Sequence, residues 1–339
     1  MLVTRKIGLE DYAGLLEGFE PGWLYHDMSW LASVRDGFGV GVIALLTEDR
    51  MGRAVALTPF MRVRKGPFML AGSPLRGMYT EFAGPLFAPK ADEEIRREAL
   101  VSQHAFFRGE GAGYVEWGWK GGAESDCMEA LRSLGYQYVP RQTLVVDLGQ
   151  GADGVWDGFE GRARNMVRKA EKSGVTVRSI LPGLADVKGY YEMLAGTFRR
   201  QGIPPPHPFS FYQAICNYLA PAGHLEFIQA KAGDRVVAGG IFLCFGKRMM
   251  YLSGTASEEG ARLAASSLVQ WAATKRAIDR GVIEYDMGGT GNASIDRFKE
   301  SFGGHPAIHH RWIYRTGPVR LAETAYGWLA GKGWVRLHG

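Results

Sequence analysis

The residues best placed to do chemistry lie in Asp296-Arg-Phe-Lys-Glu-Ser-Phe-Gly-Gly304, just downstream of the apolar run Val282-Ile-Glu-Tyr-Asp-Met-Gly-Gly289. A strand that ends in a carboxylate and two glycines leaves open backbone at its C-terminal end, where α/β proteins commonly place ligands. The next segment brings one cation, Lys299, on a short helix halted by Gly303 and Gly304. These are the parts of an acyl-transfer site: backbone to hold substrate, and a fixed positive charge facing a developing oxyanion. Lys299 would supply the charge, and Asp286 would orient or deprotonate an attacking amine. Each also has a plainer reading, as a solvated helix lysine and as a strand-end carboxylate bonded to turn amides. Phe298, Gly288 and Gly289 flank the pair.

Other segments offer weaker chemistry. Glu160-Gly-Arg-Ala-Arg-Asn-Met-Val-Arg-Lys-Ala-Glu-Lys-Ser-Gly174 reads as a basic helix ended by glycine. Helical spacing puts Arg164, Arg168 and Lys172 on one face and Ala163, Val167 and Ala170 on the buried side. Such a face could contact phosphate or tRNA, or simply be a solvated surface. Ser257-Glu-Glu-Gly-Ala-Arg262 joins a strand to a helix, a place where backbone amides and the helix dipole can bind pyrophosphate. Gly260 is its single glycine, so an ordinary helix entry is the simpler reading. His305, His309 and His310 form no metal site, because adjacent strand residues point to opposite faces. Trp117 and Trp119 alternate with Val115 as packing residues would. Trp328 and Trp334, with Lys332 and Arg336, could touch a membrane surface or pack on the protein itself.

The elements that must position these residues recur twice. Gly39–Leu46 with Ala54–Met61, and Leu225–Lys231 with Val236–Phe245, read as two hairpins. Helical stretches follow each, Asp92–Arg108 and Leu263–Arg280, the second stopped by Gly281. A constant offset of 168 then maps Gly113-Tyr-Val-Glu-Trp-Gly118 onto Gly281-Val-Ile-Glu-Tyr-Asp286, and Gly135 onto Gly303. A last strand follows in each copy, Thr143–Leu148 and Ile308–Tyr314. In the first copy Leu131 stands where the second has Lys299, and Gly118 where it has Asp286. Only the second copy carries polar chemistry there. The flexible Gly149-Gln-Gly-Ala-Asp-Gly154 marks the join, and a Pro-rich loop, Gly202–Pro208, interrupts the second half.

The bulk composition sets the class. At 339 residues, with 46% hydrophobic and 12% aromatic residues, the chain has material for two ordinary domains with real cores. No apolar run approaches a membrane span, and the first residues lack the apolar core of a signal peptide. Cys127, Cys216 and Cys244 are few and far apart, which argues against a disulfide framework or a zinc site. A cytoplasmic protein is expected. The net charge of +5 mildly favours anionic partners.

The tandem plan, the basic Arg164–Gly174 element, Tyr285-Asp-Met-Gly-Gly289 and Arg297-Phe-Lys-Glu-Ser-Phe-Gly-Gly304 together resemble the FemAB/FemX family of aminoacyltransferases within the GNAT superfamily. The resemblance implies an α/β (α+β) chain of two tandem GNAT-like domains, each a mixed, mainly antiparallel sheet flanked by helices. They would span 1–149, completed by 317–339, and 150–316, the latter carrying the catalytic site. It implies transfer of an acyl or aminoacyl group to an amine, on a cell-envelope or polysaccharide precursor. Acyl-CoA or aminoacyl-tRNA would be the co-substrate, with no permanent cofactor and no metal. Lys299, preceded by Phe298, matches the family's transition-state lysine. Arg35, shortly after Trp30, and His207 in the Pro-rich loop fall where family members contact a precursor diphosphate. Gly260 and Arg262 fall where a GNAT enzyme contacts CoA. Peripheral membrane contact through a lipid-linked precursor is compatible with this picture, and DNA is not an expected partner. Two alternatives stand beside it: an acyl-CoA-dependent N-acetyltransferase acting on a small molecule or sugar, and a non-catalytic precursor-binding protein.

Overall fold

The computed structural model describes residues 2–19, 22–120 and 125–331. The chain divides into two compact units, 1–141 with 308–339, and 142–307.

The first unit opens with β1 (Val3–Ile7), α1 (Leu9–Leu16) and α2 (Met28–Phe38), then the meander β2 (Gly41–Glu48), β3 (Ala54–Lys65) and β4 (Phe68–Ser73). After the short β5 (Leu86–Phe87) come α3 (Glu93–Gly109), β6 (Ala112–Lys120), α4 (Ser125–Ser133) and β7 (Gln137–Tyr138). Local chemistry explains the boundaries. Asp92 caps α3 by accepting from Ile95 N at 2.9 Å, two glutamates occupy its first turn and Arg108 its last. Asp27 caps α2, and Gly39, at φ 65°, ends it. Phe60, Phe107, Trp117, Leu131 and Trp312 meet in the core of this unit.

The second unit runs β8 (Arg141–Asp147), α5 (Gly151–Gly158), α6 (Gly161–Lys172), β9 (Val175–Ile180), α7 (Leu184–Arg200) and α8 (Phe209–Leu219). The meander β10 (Leu225–Ala232), β11 (Arg235–Phe245) and β12 (Arg248–Ala256) follows, then α9 (Glu258–Arg262), α10 (Ala265–Asp279), β13 (Glu284–Gly289) and α11 (Ala293–Glu300). The chain then passes along β14 (His305–Arg315) into α12 (Gly317–Gly331). Val167, Phe159, Phe242, Trp271, Tyr285 and Phe302 share this unit's core.

Each unit holds a mixed, mainly antiparallel sheet. In the first the order is β1-β2-β3-β4-β6-β14, with β5 on β3 and β7 on β14. In the second it is β8-β13-β12-β11-β10-β9. Among the described pairings only β4 with β6 and β12 with β13 are parallel. The closing strands are exchanged between the copies. β8, which follows the first copy's α4, pairs with β13, while residues 309–315 of β14, which follow the second copy's α11, pair with β6. The crossings therefore fall at 141/142 and 307/308, and the Gly149–Gly154 stretch expected to hold the join carries the start of α5 instead.

Candidate active site

The site is built at the end of β13. Tyr285, Asp286 and Met287 are buried there, Asp286 being only 3% exposed. One oxygen of Asp286, Oδ1, accepts from the Gly288 amide at 2.8 Å and from the Thr143 hydroxyl of β8. Gly288 adopts φ 82°, a left-handed conformation that favours glycine. A Cβ at this position would lie 3.5 Å from the Tyr251 carbonyl oxygen and 3.7 Å from Lys299 Nζ. The reversal aims two peptide carbonyls at one point. Lys299 Nζ sits at that point, donating to Gly288 O at 3.1 Å and Gly289 O at 2.6 Å, and the residue is 6% exposed.

α11 delivers Lys299 because its ends are fixed. Asn292 Oδ1 accepts from Ser294 N and Ile295 N, and Asp296 Oδ2 accepts from Gly291 N at 3.0 Å. At the other end Gly303 takes φ 78°, and Gly304 lies where a Cβ would be 3.1 Å from Lys299 O. Phe298 and Phe302, with ring centroids 5.1 Å apart, anchor the helix on the core. The solvated-lysine reading is thereby excluded. The strand-end reading of Asp286 is observed directly, since it does bind a turn amide. Asp286 fixes the turn, and the turn fixes the ammonium.

The strand beside this turn also changes character. The parallel ladder of β12 with β13 ends at Met250 and Asp286, while β12 continues along β11 to Ala256. Burial pushes the Tyr251 phenol up to about 12 and the Tyr285 phenol well above its usual range, so both carry their protons at neutral pH. The Tyr285 hydroxyl donates to Gln270 Oε1.

The remaining expected contacts lie elsewhere or are already engaged. Arg164 is half-buried and donates to the carbonyls of Asp157 at 2.9 Å, Trp156 at 3.4 Å and Phe159, closing the C-terminal end of α5. Arg168 lies over the Trp156 ring, 5.4 Å from its centroid. Of the face expected to hold phosphate, Arg164 is spent on the end of α5, whereas Arg168 and Lys172 are exposed, as are Arg162 and Lys169. Ala163, Val167 and Ala170 are buried as the spacing requires. Arg35 belongs to the first unit, on its surface, paired with Asp36 at 2.7 Å. His207 is buried beside Phe211, and burial lowers its imidazole to about 4, which makes it a neutral group rather than a basic contact.

Gly260 is a packing residue. A Cβ there would lie 2.0 Å from Val237 O, and its amide is spent on the Ser257 cap at 3.0 Å. Arg262 is exposed beside it. His309 is buried and His310 stacks on Tyr138, and no group of metal-ligating side chains occurs among the described residues. Trp117 is core and stacks on Trp119. Lys332, Trp334 and Arg336 lie outside the described residues.

One residue of the site, Thr143, and one backbone feature outside it were not singled out from sequence. Thr143 follows Arg141 and Gln142 and precedes Leu-Val-Val in β8, and it is 1% exposed. Ala264 precedes α10 at φ 57°, a conformation uncommon for a residue with a side chain. Neither belongs to a recognisable motif.

Residues 159–300 match the family model described as acetyltransferase (GNAT) domain. No curated protein matches the chain. Among solved structures, FemX is similar at 17% identity and a TM-score of 0.72, over 93% of this chain and 98% of that one. A tandem GNAT protein from the clavulanic acid biosynthesis pathway is similar at 13% identity and a TM-score of 0.61, over 94% and 99%. L-PGS from Bacillus licheniformis is similar at 14% and 0.56, over 93% and 95%. Most of the second unit thus matches the GNAT domain model. The whole chain has a two-domain fold similar to that of the tandem GNAT protein. Among the described residues no helix is long and apolar enough to cross a membrane.

Proposed function

We propose that this chain transfers an activated acyl or aminoacyl group to an amine, with the chemistry at the end of β13. One observation carries the reading: a buried lysine held by two glycine carbonyls beside a buried carboxylate, inside the GNAT domain. The attacking amine adds to the acyl carbonyl, negative charge gathers on its oxygen, and collapse breaks the thioester or ester bond, the departing CoA thiol or tRNA hydroxyl taking the proton the amine gives up. The Lys299 ammonium offsets that charge without reorganising, because its position is set before substrate arrives. Asp286 acts through the turn, keeping the two carbonyls that locate Lys299 in place. The donor's phosphates meet the N-terminal end of α10, together with exposed Arg162, Lys169, Lys172 and Arg262. Acceptors on a cell-envelope or polysaccharide precursor fit the likeness to FemX and L-PGS.

The test is transfer of labelled acyl or aminoacyl groups from acyl-CoA or charged tRNA to a panel of amines. Lys299→Met is expected to lower turnover by about 10²-fold or more, as loss of one oxyanion donor does. Full activity in the folded variant removes the role. An aminoacyl-tRNA donor shows as binding that weakens steeply with salt, and an acyl-CoA donor as thermal stabilisation by CoA alone.

A further inference from the structure

The helix that carries Lys299 has an inward stripe that its own unit covers at one end only. Phe298 and Phe302 pack on the core and Lys299 is buried, while Ile295, on the same side by helical spacing, is 50% exposed. The first copy is closed at this place. The offset of 168 sets Cys127, Ala130 and Leu131 at the positions of Ile295, Phe298 and Lys299, and all three are buried in the core of the first unit. The ammonium lies beside the uncovered end. Lys299 Nζ reaches the carbonyls of Gly288 and Gly289, which precede α11, so its side chain runs back along the helix toward the first turn, where Ile295 stands. Polar side chains around that turn are engaged by backbone. Asn292 Oδ1 caps the helix, Asp296 Oδ2 accepts from Gly291 N, Arg297 Nε donates to Ala293 O at 3.2 Å, and the Thr290 hydroxyl donates to Gln142 O at 3.4 Å. Ile295 thus offers an open apolar side chain next to the ammonium.

We propose that Ile295 is a specificity-determining residue, selecting donors whose acyl chain is apolar and larger than a methyl group. The proposal rests on the acyl-transfer reading above. Of the groups on the reacting carbon, the oxygen faces Lys299 Nζ, and the leaving group is fixed by the class of donor, CoA or tRNA. The acyl chain and the amine are left to vary. The amine attacks across the carbonyl plane, while the acyl chain lies in that plane beside the oxygen, so the chain is the variable group nearest Ile295. An aliphatic chain laid on Ile295 completes the stripe that Cys127 completes in the first unit, and it takes apolar surface of both partners out of water. A cationic chain would set a second positive charge against Lys299, and a glycyl or acetyl group would leave Ile295 wet.

The experiment measures kcat and KM of the full chain with glycyl-, alanyl-, leucyl- and lysyl-tRNA and with acetyl-, butyryl- and hexanoyl-CoA, first at one amine and then across a set of amines. The leucyl or the hexanoyl donor is expected to lead its series. Ile295→Ser is expected to lower its kcat/KM at least about tenfold more than that of the glycyl or acetyl donor, mainly through KM, as a missing apolar contact in a substrate site does. Ile295→Leu, which keeps the apolar area, is expected to retain the preference. Position 295 is exposed, so unchanged thermal unfolding verifies the fold of both variants. Equal losses across a series, or none, overturn the proposal and leave the transferase reading standing. So does a loss that follows the amine instead of the acyl chain. No turnover from any donor removes the transferase reading, and the proposal with it.

Discussion

The two units bury charge at related places and for different ends. In the first, Glu116 on β6 is fully buried with Arg311 Nε at 2.7 Å, the Tyr114 hydroxyl at 2.7 Å and the Arg76 amide at 3.0 Å. There a carboxylate is matched by a guanidinium, and the pair is internal bracing. In the second, the ammonium of Lys299 rests on peptide carbonyls at a left-handed glycine. The surrounding backbone differs as well. The parallel ladder of the first unit runs to the last residue of β4, pairing Ser73 with Trp117. Next to it, a Cβ at Gly118 would stand 2.7 Å from Pro74 Cδ, so the loop after β4 fills the place. In the second unit the ladder stops at Met250 and Asp286 while β12 goes on. One scaffold thus serves as a closed frame in one copy and a carbonyl-held cation in the other.

Exchanging the distinguishing residues tests the contrast. Leu131, 1% exposed, occupies the position of Lys299 in the first copy. Leu131→Lys buries an ammonium with no carbonyl turn to receive it and is expected to cost about 3–5 kcal/mol in urea unfolding. A silent substitution would mean that the first unit also offers carbonyls there. Arg311→Met strands Glu116 and is expected to cost a similar 3–5 kcal/mol, while kcat at the second unit stays unchanged in the folded fraction. A proportionate fall in kcat would show that the bracing is part of the chemistry. Lys299→Met, by contrast, should lower turnover by about 10²-fold with a smaller loss of stability.

Acid supplies the next largest effect, one in each unit. Burial lowers His26 and His207 from 6.5 to about 4. Both are neutral when folded at neutral pH, and the unfolded chain takes up the protons first. The stability they contribute is therefore complete above pH 6.5 and falls as the pH drops toward 4, by roughly 2 kcal/mol for each at pH 5. Urea unfolding between pH 7.5 and 5 measures it, and His207→Asn should flatten the second unit's share. Thr143→Val removes the hydroxyl that holds Asp286 and is expected to cost about 1 kcal/mol, with Thr143→Ser restoring most of it.

Much of this contrast was legible in the sequence because it is local. The hairpins, α3, α10 and the paired stops Gly135 and Gly303, at φ 85° and 78°, follow from alternation, capping and glycine placement. The spacing of α6 put Ala163, Val167 and Ala170 inside. It said nothing of which arginines would be engaged, because the end of α5 that takes Arg164 is reached only through folding. Gly260 reads as a loop glycine until Val237 O is seen 2.0 Å from its missing Cβ. Burial turned His207 from a loop cation into a neutral core group. Glu116 and Arg311 are too far apart in sequence for any pattern to join them.

The exchange of β8 and β14 carries a consequence for the protein's handling. A gene fragment encoding residues 1–149 would yield a sheet missing its last strand, with Arg311 and Trp312 gone from its interior. The complementary piece, from 150 on, would lack β8 and the Thr143 hydroxyl. Cut at that point, neither half carries a complete sheet of its own.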